Sequence, residues 1–302
     1  MTTFSLPTYS GYNFPEVLRF LGRSNKESTH SLWGDRVRKV FLFEGQAYLI
    51  ELSQTGPDLL AAQCLNVSLS GEAAHDLTNQ CVRWLGTLHD PAPFYQFFFP
   101  SGEMALADPI LGPLIQRFHG LPIVGIPDFL ESISWAIIGQ QINLAFAYTC
   151  KGRLVEHYGP SVVFEGQMYY AFPEAFALAS ADPEILRSFQ FSRQKINYLI
   201  GIAEALETGA LVPSEISSLS YSAAKQYLLQ FKGIGPWTAD YVLMKHFRFN
   251  EACPVGDAGL RQALDAYLPA DEKNTAGVAK IFERWNQFPA FAAFYLWQQL
   301  IK

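Results

Sequence analysis

Phe231-Lys232-Gly233-Ile234-Gly235-Pro236-Trp237-Thr238-Ala239-Asp240-Tyr241 lies between two apolar patterns of helical period, with Asp257 waiting downstream. Tyr227, Leu228 and Phe231 carry the first pattern; Ala239, Val242, Leu243 and Phe247 carry the second. Glycines in the connection permit φ > 0 and close approach of another backbone. Pro236 suits the first turn of the second helix, where its missing N–H costs nothing. The free amides of such a turn, with the helix N-terminus, make a small anion site. A plain helical hairpin closed by glycine is the competing reading, because short Gly-x-Gly runs recur by chance.

The wider pattern favours the anion site. Leu228-x-x-Phe231-Lys232-Gly233-Ile234-Gly235-Pro236-Trp237-Thr238-Ala239, followed by Cys253-Pro254-Val255-Gly256-Asp257, resembles the helix-hairpin-helix DNA glycosylases with the Gly/Pro-Asp signature. Within them it is most similar to the 3-methyladenine DNA glycosylase II branch. The resemblance runs from about Met104 to the C-terminus and has three further anchors besides the hairpin. Ala136-Ile137-Ile138-Gly139-Gln140-Gln141-Ile142-Asn143 is similar to the family's helix break that faces DNA. Phe191-Ser192-Arg193-Gln194-Lys195 is similar to its Ser-x-x-Lys segment. The last anchor is residues 254–261.

The resemblance implies an α+β protein: an N-terminal antiparallel sheet-and-helix domain (1–100), then an all-α helix-hairpin-helix glycosylase bundle (101–302), with helical subdomains flanking a cleft. The local patterns agree. Residues 39–43 and 47–52 are β-rich runs around Glu44-Gly45-Gln46, a hairpin signal, and 59–69 is a third run. Residues 72–88 read as an amphipathic helix with Ala73, Leu77, Cys81, Trp84 and Leu85 on one side. Asp90-Pro91-Ala92-Pro93 breaks it, and the aromatic cluster 94–99 reads as a linker. Beyond about 104 strand signals fade. Helices are expected from Asp128 to Gly139, over 144–158 behind an Asn143 cap, and at 173–180, 182–189, 195–208, 222–231, 237–247, 258–268 and 275–297. No internal repeat is apparent.

Composition bounds the rest. The 302 residues are 49% hydrophobic and 17% charged, enough for a well-buried core and about two domains. The net charge of −6 and a pI near 5.5 argue against a general nucleic-acid coat, but leave room for a local cationic footprint. The N-terminal residues lack a basic segment followed by an apolar run, and no apolar stretch nears ~20 residues, so neither a signal peptide nor a membrane span is expected. Cys64, Cys81, Cys150 and Cys253 are too scattered for a zinc or iron–sulfur site and read as reduced thiols of a cytoplasmic protein, nucleoid-associated if bacterial. The six histidines form no ligand spacing. No cofactor is expected, beyond the monovalent cation that the resemblance implies at the hairpin when DNA is bound. The partner is double-stranded DNA carrying damaged bases, met by a monomer.

The chemistry can be read beside the resemblance. Breaking an N-glycosidic bond builds positive charge on the sugar, so the site needs an anion near C1′ and a water. Asp257 is the candidate catalytic carboxylate; it also stands where it would cap a helix beginning at Ala258. Trp237 occupies the place at which bifunctional relatives carry a lysine nucleophile, so the resemblance implies a monofunctional enzyme. Trp237 and Tyr241 share a helix face, and Trp297 lies in the segment that supplies another pocket aromatic. These three form either a cage for a cationic alkylated base or ordinary core. Gly233, Ile234, Gly235 and Lys232 at the turn, Gln140 and Gln141 at the break, and Ser192 and Lys195 are the candidate DNA contacts, with Gln141 at the position of the residue that fills the gap left by the extruded base. Two other functions stay open: a glycosylase for oxidised or deaminated bases, and a non-catalytic DNA-binding hairpin protein.

Overall fold

The computed structural model describes residues 2–99 and 108–301. The expected division at 100/101 and the start of the resemblance at Met104 lie outside these residues. The first part contains β1 (Thr3–Pro7), α1 (Phe14–Leu21), β2 (His30–Trp33), β3 (Arg36–Phe43), β4 (Gln46–Gly56), β5 (Leu59–Cys64), α2 (Gly71–Leu85) and α3 (Ala92–Phe98). The strands make one antiparallel sheet in the order β1-β5-β4-β3-β2. After it come α4 (Leu111–Arg117), α5 (Phe129–Gly139), α6 (Leu144–Tyr158), β6 (Ser161–Phe164), β7 (Gln167–Tyr170), α7 (Ala175–Ala179), α8 (Pro183–Ser188), α9 (Arg193–Glu207), α10 (Pro213–Ile216), α11 (Tyr221–Leu229), α12 (Pro236–Lys245), α13 (Ala258–Leu264), α14 (Thr275–Phe282) and α15 (Pro289–Gln298). The α+β class holds. Among the described residues no helix is long and apolar enough to cross a membrane.

The β3–β4 hairpin forms where expected. Phe43 pairs with Gln46 around Glu44 and Gly45, both at positive φ (49° and 74°), the geometry that matches strand twist in a two-residue turn. Alternation then sorts the sheet. Val37 and Phe41 of β3, with Ile50 and Leu52 of β4, join the main core, whereas Val40 and Leu49 face the other way. On α2, all five predicted apolar positions are buried in the main core. That helix stops at Leu85, three residues earlier than its pattern suggests, because Gly86 takes the left-handed conformation (φ 67°) of a helix C-cap.

Three local expectations need correction. The helical region is not purely α: β6 and β7 form a second hairpin, turning through Glu165 and Gly166 at φ 50° and 75°. It packs Val162 and Tyr169 against Val40 and Leu49, covering the sheet's second face. The aromatic segment taken as a linker is α3, with Phe94 fully buried and stacked on Phe291 of α15 (centroids 5.2 Å apart). The long helix expected over 275–297 is two, α14 and α15, separated by a 3-10 turn at Glu283–Trp285; Pro289 cannot donate the amide that a continuous helix needs.

α5 is buried on nearly every side, as a central helix must be, and it carries one charge inward. The Glu131 carboxylate, 4% exposed, accepts from Lys39 Nζ of β3 at 3.1 Å, Lys151 Nζ of α6 at 2.8 Å and Thr29 Oγ1 at 2.8 Å. Lys151 also donates to Glu27 at 2.9 Å. Burial alone would raise the Glu131 carboxyl; Lys151 and Lys39 outweigh it and hold it at about 2.

The buried imidazoles set a pH limit on this fold. Burial lowers His30 and His89 to about 4 and His246 to about 3. All three stay neutral in the native state while the unfolded chain binds protons below about 6.5. Their contribution is therefore complete above that pH and is lost as pH falls toward 4. Asp128, raised by burial to about 6, and Asp240, also raised by burial, work in the opposite sense, but they are two groups against three. Stability should drop by roughly 2–3 kcal/mol between pH 7 and 5.5. Urea unfolding across that range tests this; a level or rising stability would contradict it.

Candidate active site

The hairpin begins with α11, capped by Ser220, whose Oγ accepts from the Ala223 amide. The turn then reverses through Gly233 at φ 97°. A Cβ there would also lie 2.4 Å from the Tyr198 ring of α9, so only glycine fits. Ile234, a candidate DNA contact, is 5% exposed and turns its side chain into the hairpin core, so it serves the turn through its shape. Gly235 caps α12 and Pro236 fills its first position. A Cβ on Gly235 would meet nothing within 4 Å: its bareness is not needed for packing and leaves the backbone open to approach. Lys232 is exposed beside the turn.

The brace across this hairpin goes beyond the sequence reading. Asp240 of α12 is buried and accepts from Tyr221 Oη at 2.7 Å and Lys225 Nζ at 2.9 Å, both from α11. The signal was one carboxylate on an otherwise apolar helix face. Burial raises the Asp240 carboxyl, while Lys225 and Tyr221 pull it back.

The break after α5 is tied to the hairpin. Gln140 Nε2 donates to the Gly233 carbonyl and to Thr238 Oγ1, each at 3.1 Å. Gln140 thus turns inward and sets the turn's position. Lys195 Nζ donates to the Ile138 and Gln140 carbonyls at 2.8 Å each, satisfying acceptors that end α5. Its ammonium is committed to the protein, and partial burial lowers its pKa. Ser192 caps α9, with its Oγ accepting from the Lys195 amide. Gln141 projects from this junction, exposed and left-handed at φ 56°. Asn143 caps α6 as expected.

Asp257 is the meeting point. Its Oδ1 accepts from the Leu260 amide at 3.0 Å, capping α13, and from Trp297 Nε1 at 2.9 Å. Its Oδ2 accepts from Trp237 Nε1 at 3.3 Å. The cap and the indole contacts coexist on one half-buried carboxylate. Tyr241 lies between the two tryptophans, 5.5 Å from the Trp237 ring and 6.1 Å from that of Trp297. Tyr241 is 8% exposed; both tryptophans are half-buried and keep surface toward solvent. An anion fixed by three N–H groups beside an aromatic wall, next to a turn with bare backbone, can stabilise positive charge that develops close to it.

The HhH-GPD superfamily base excision DNA repair protein model matches residues 134–287, and the chain belongs to that superfamily. Among its relatives is a DNA-3-methyladenine glycosylase of Bacillus subtilis (strain 168), 33% identical over 286 residues that span 94% of this chain and 92% of the relative. Among solved structures, the 3-methyladenine DNA glycosylase from Archaeoglobus fulgidus superposes with a TM-score of 0.82 at 25% identity, covering 98% of this chain and 97% of that one. The 8-oxoguanine glycosylase/lyase of Clostridium acetobutylicum, solved with duplex DNA, shares the fold at a TM-score of 0.71 and 17% identity, covering 96% and 92% of the two chains.

Proposed function

We propose that this protein is a monofunctional DNA glycosylase that releases alkylated purines of the 3-methyladenine and 7-methylguanine type from duplex DNA. The observation that carries the reading is the Asp257 carboxylate held by two indole N–H groups beside the hairpin. The turn grips a phosphate through its amides. The target nucleotide leaves the stack, with exposed Gln141 placed to enter the gap. The alkylated base, a cation and a good leaving group, rests against Trp237, Tyr241 and Trp297, where cation–π attraction contributes ~0.5–2 kcal/mol per contact. Asp257 faces the charge that develops at C1′ and orients a water for attack. Position 237 offers an indole where a Schiff base would need an amine, so the reaction ends at an abasic site. The protein acts as a monomer, and its four buried free thiols suit a reducing cytoplasm.

Methylated duplex DNA tests the reading when free bases are separated and strand breaks are scored with and without alkali. Free 3-methyladenine and breaks that need alkali are expected, with no protein–DNA adduct after borohydride. A trapped adduct would overturn the monofunctional assignment. Binding without base release would leave only a DNA-binding hairpin protein.

A further inference from the structure

The end of α5, the hairpin turn and α9 are tied to one another in a closed triangle. α5 stops at Gly139, and the carbonyls at its end have no helical amide to meet. Lys195 of α9 donates to two of this junction's carbonyls, Ile138 and Gln140, at 2.8 Å each. Tyr198, three residues on along the same face of α9, lies against the hairpin turn and fills the space that a side chain on Gly233 would take. Gln140 makes the third side: its Nε2 joins the Gly233 carbonyl to Thr238 Oγ1 of α12, at 3.1 Å each. Each element is thus fixed to both of the others.

A lysine that only meets phosphate keeps its ammonium hydrated on a flexible stem. The Lys195 side chain is half-buried, and no carboxylate among the described residues pairs with it. Carbonyls at a helix C-terminus carry partial negative charge, so a cation is held there. The Gln140 carbonyl belongs to the peptide that leads into Gln141, the left-handed residue of the break. A residue with a side chain adopts that conformation at a cost and keeps it where its surroundings impose it. Lys195 is one of those surroundings.

We propose that Lys195 is a positioning residue: it fixes exposed Gln141, which enters the gap in the duplex, relative to the turn that grips the phosphate, and does not itself contact DNA. This rests on the glycosylase reading. Gap filling, phosphate grip and the Asp257 carboxylate must act on one nucleotide together, and a misplacement of about 1 Å can cost on the order of 10²-fold in rate. Lys195 therefore acts on the rate through Gln141 and the turn.

Salt dependence and rate separate this role from a phosphate contact. A lysine on a phosphate contributes about 0.9 to the slope of log affinity against log salt concentration, whereas a positioning lysine contributes nothing to it. Single-turnover release from methylated duplex DNA at saturating protein would be measured, with the salt dependence of binding to a duplex containing an abasic site. The proteins compared are the wild type, Lys195→Met, Lys195→Arg, Gln140→Met and the Lys195→Met/Gln140→Met double variant, with thermal unfolding to confirm that each is folded. Lys195→Met should lower the saturated rate about tenfold to a hundredfold and leave the salt slope unchanged. Lys195→Arg, with N–H groups enough for both carbonyls, should restore most of the rate. The double variant should lose little more than the slower single variant, because both substitutions open the same triangle. Gln140→Met carries the same test if Lys195→Met does not fold. A salt slope lowered by about one would make Lys195 a phosphate contact, and an unchanged saturated rate would leave it a purely structural residue. Either result would overturn the proposal while leaving the glycosylase reading intact. A wild-type protein that releases no base would defeat both.

Discussion

Asp257→Asn should lower base release from methylated duplex DNA by at least ~10²-fold and leave the fold intact. The substitution separates two duties of one side chain. Asn is as good a helix N-cap as Asp, so its oxygen can keep the Leu260 amide and the start of α13. The same oxygen can keep the Trp297 indole. The amide nitrogen then faces Trp237 Nε1 across the longer 3.3 Å contact, donor against donor. That costs little at a half-buried indole, so unfolding free energies should agree within about 0.5 kcal/mol. What disappears is the negative charge facing the sugar. Release rates and circular dichroism on the same preparation decide the matter. A variant that is folded and still active would remove Asp257 from the chemistry and leave it a cap.

Glu131→Gln should be the most damaging conservative change in the fold, costing about 3–5 kcal/mol of stability at pH 7. The carboxylate is the shared anion for Lys39 and Lys151, all three of them nearly excluded from water. Glutamine keeps the volume but brings no charge, leaving Lys39 without a carboxylate partner and two ammonium groups opposed. Because Lys39 belongs to the sheet and Lys151 to α6, the loss falls on the junction of the sheet with the helices. Urea titration measures it. A change under about 1 kcal/mol would mean that water already screens the cluster.

How much of this was legible follows from the range of each contact. The first hairpin, α2 and the glycine turn are local, and their signals lie within a few residues of one another. The second hairpin carries the same local signal: Phe-Glu-Gly-Gln-x-Tyr stands at 43–48 and again at 164–169, and both copies make the same two-residue turn. The run of helical residues around it masked it. Pro289 likewise announced the end of α14, but the apolar residues on both sides argued for continuity. The aromatics of α3 resembled a linker because their partners, Phe291 and Tyr295, lie far along the chain. Nothing local joins Lys39 to Glu131, 92 residues away, or Gln140 to Gly233, 93 residues away. At the site, the resemblance supplied Asp257 and its aromatic neighbours one by one. Their mutual hydrogen bonds depend on α15 folding back over α13, which no spacing encodes.

The two indole contacts also bear on which aromatic residues these positions can hold. A wall that only stacks a base could be built from phenylalanine, tyrosine or tryptophan alike. Here Trp237 and Trp297 each aim a ring nitrogen at the same carboxylate, and phenylalanine has no donor to offer. The nitrogen, more than the ring, sets the requirement, so the aromatic wall and the carboxylate beside it are one unit and would have to change together.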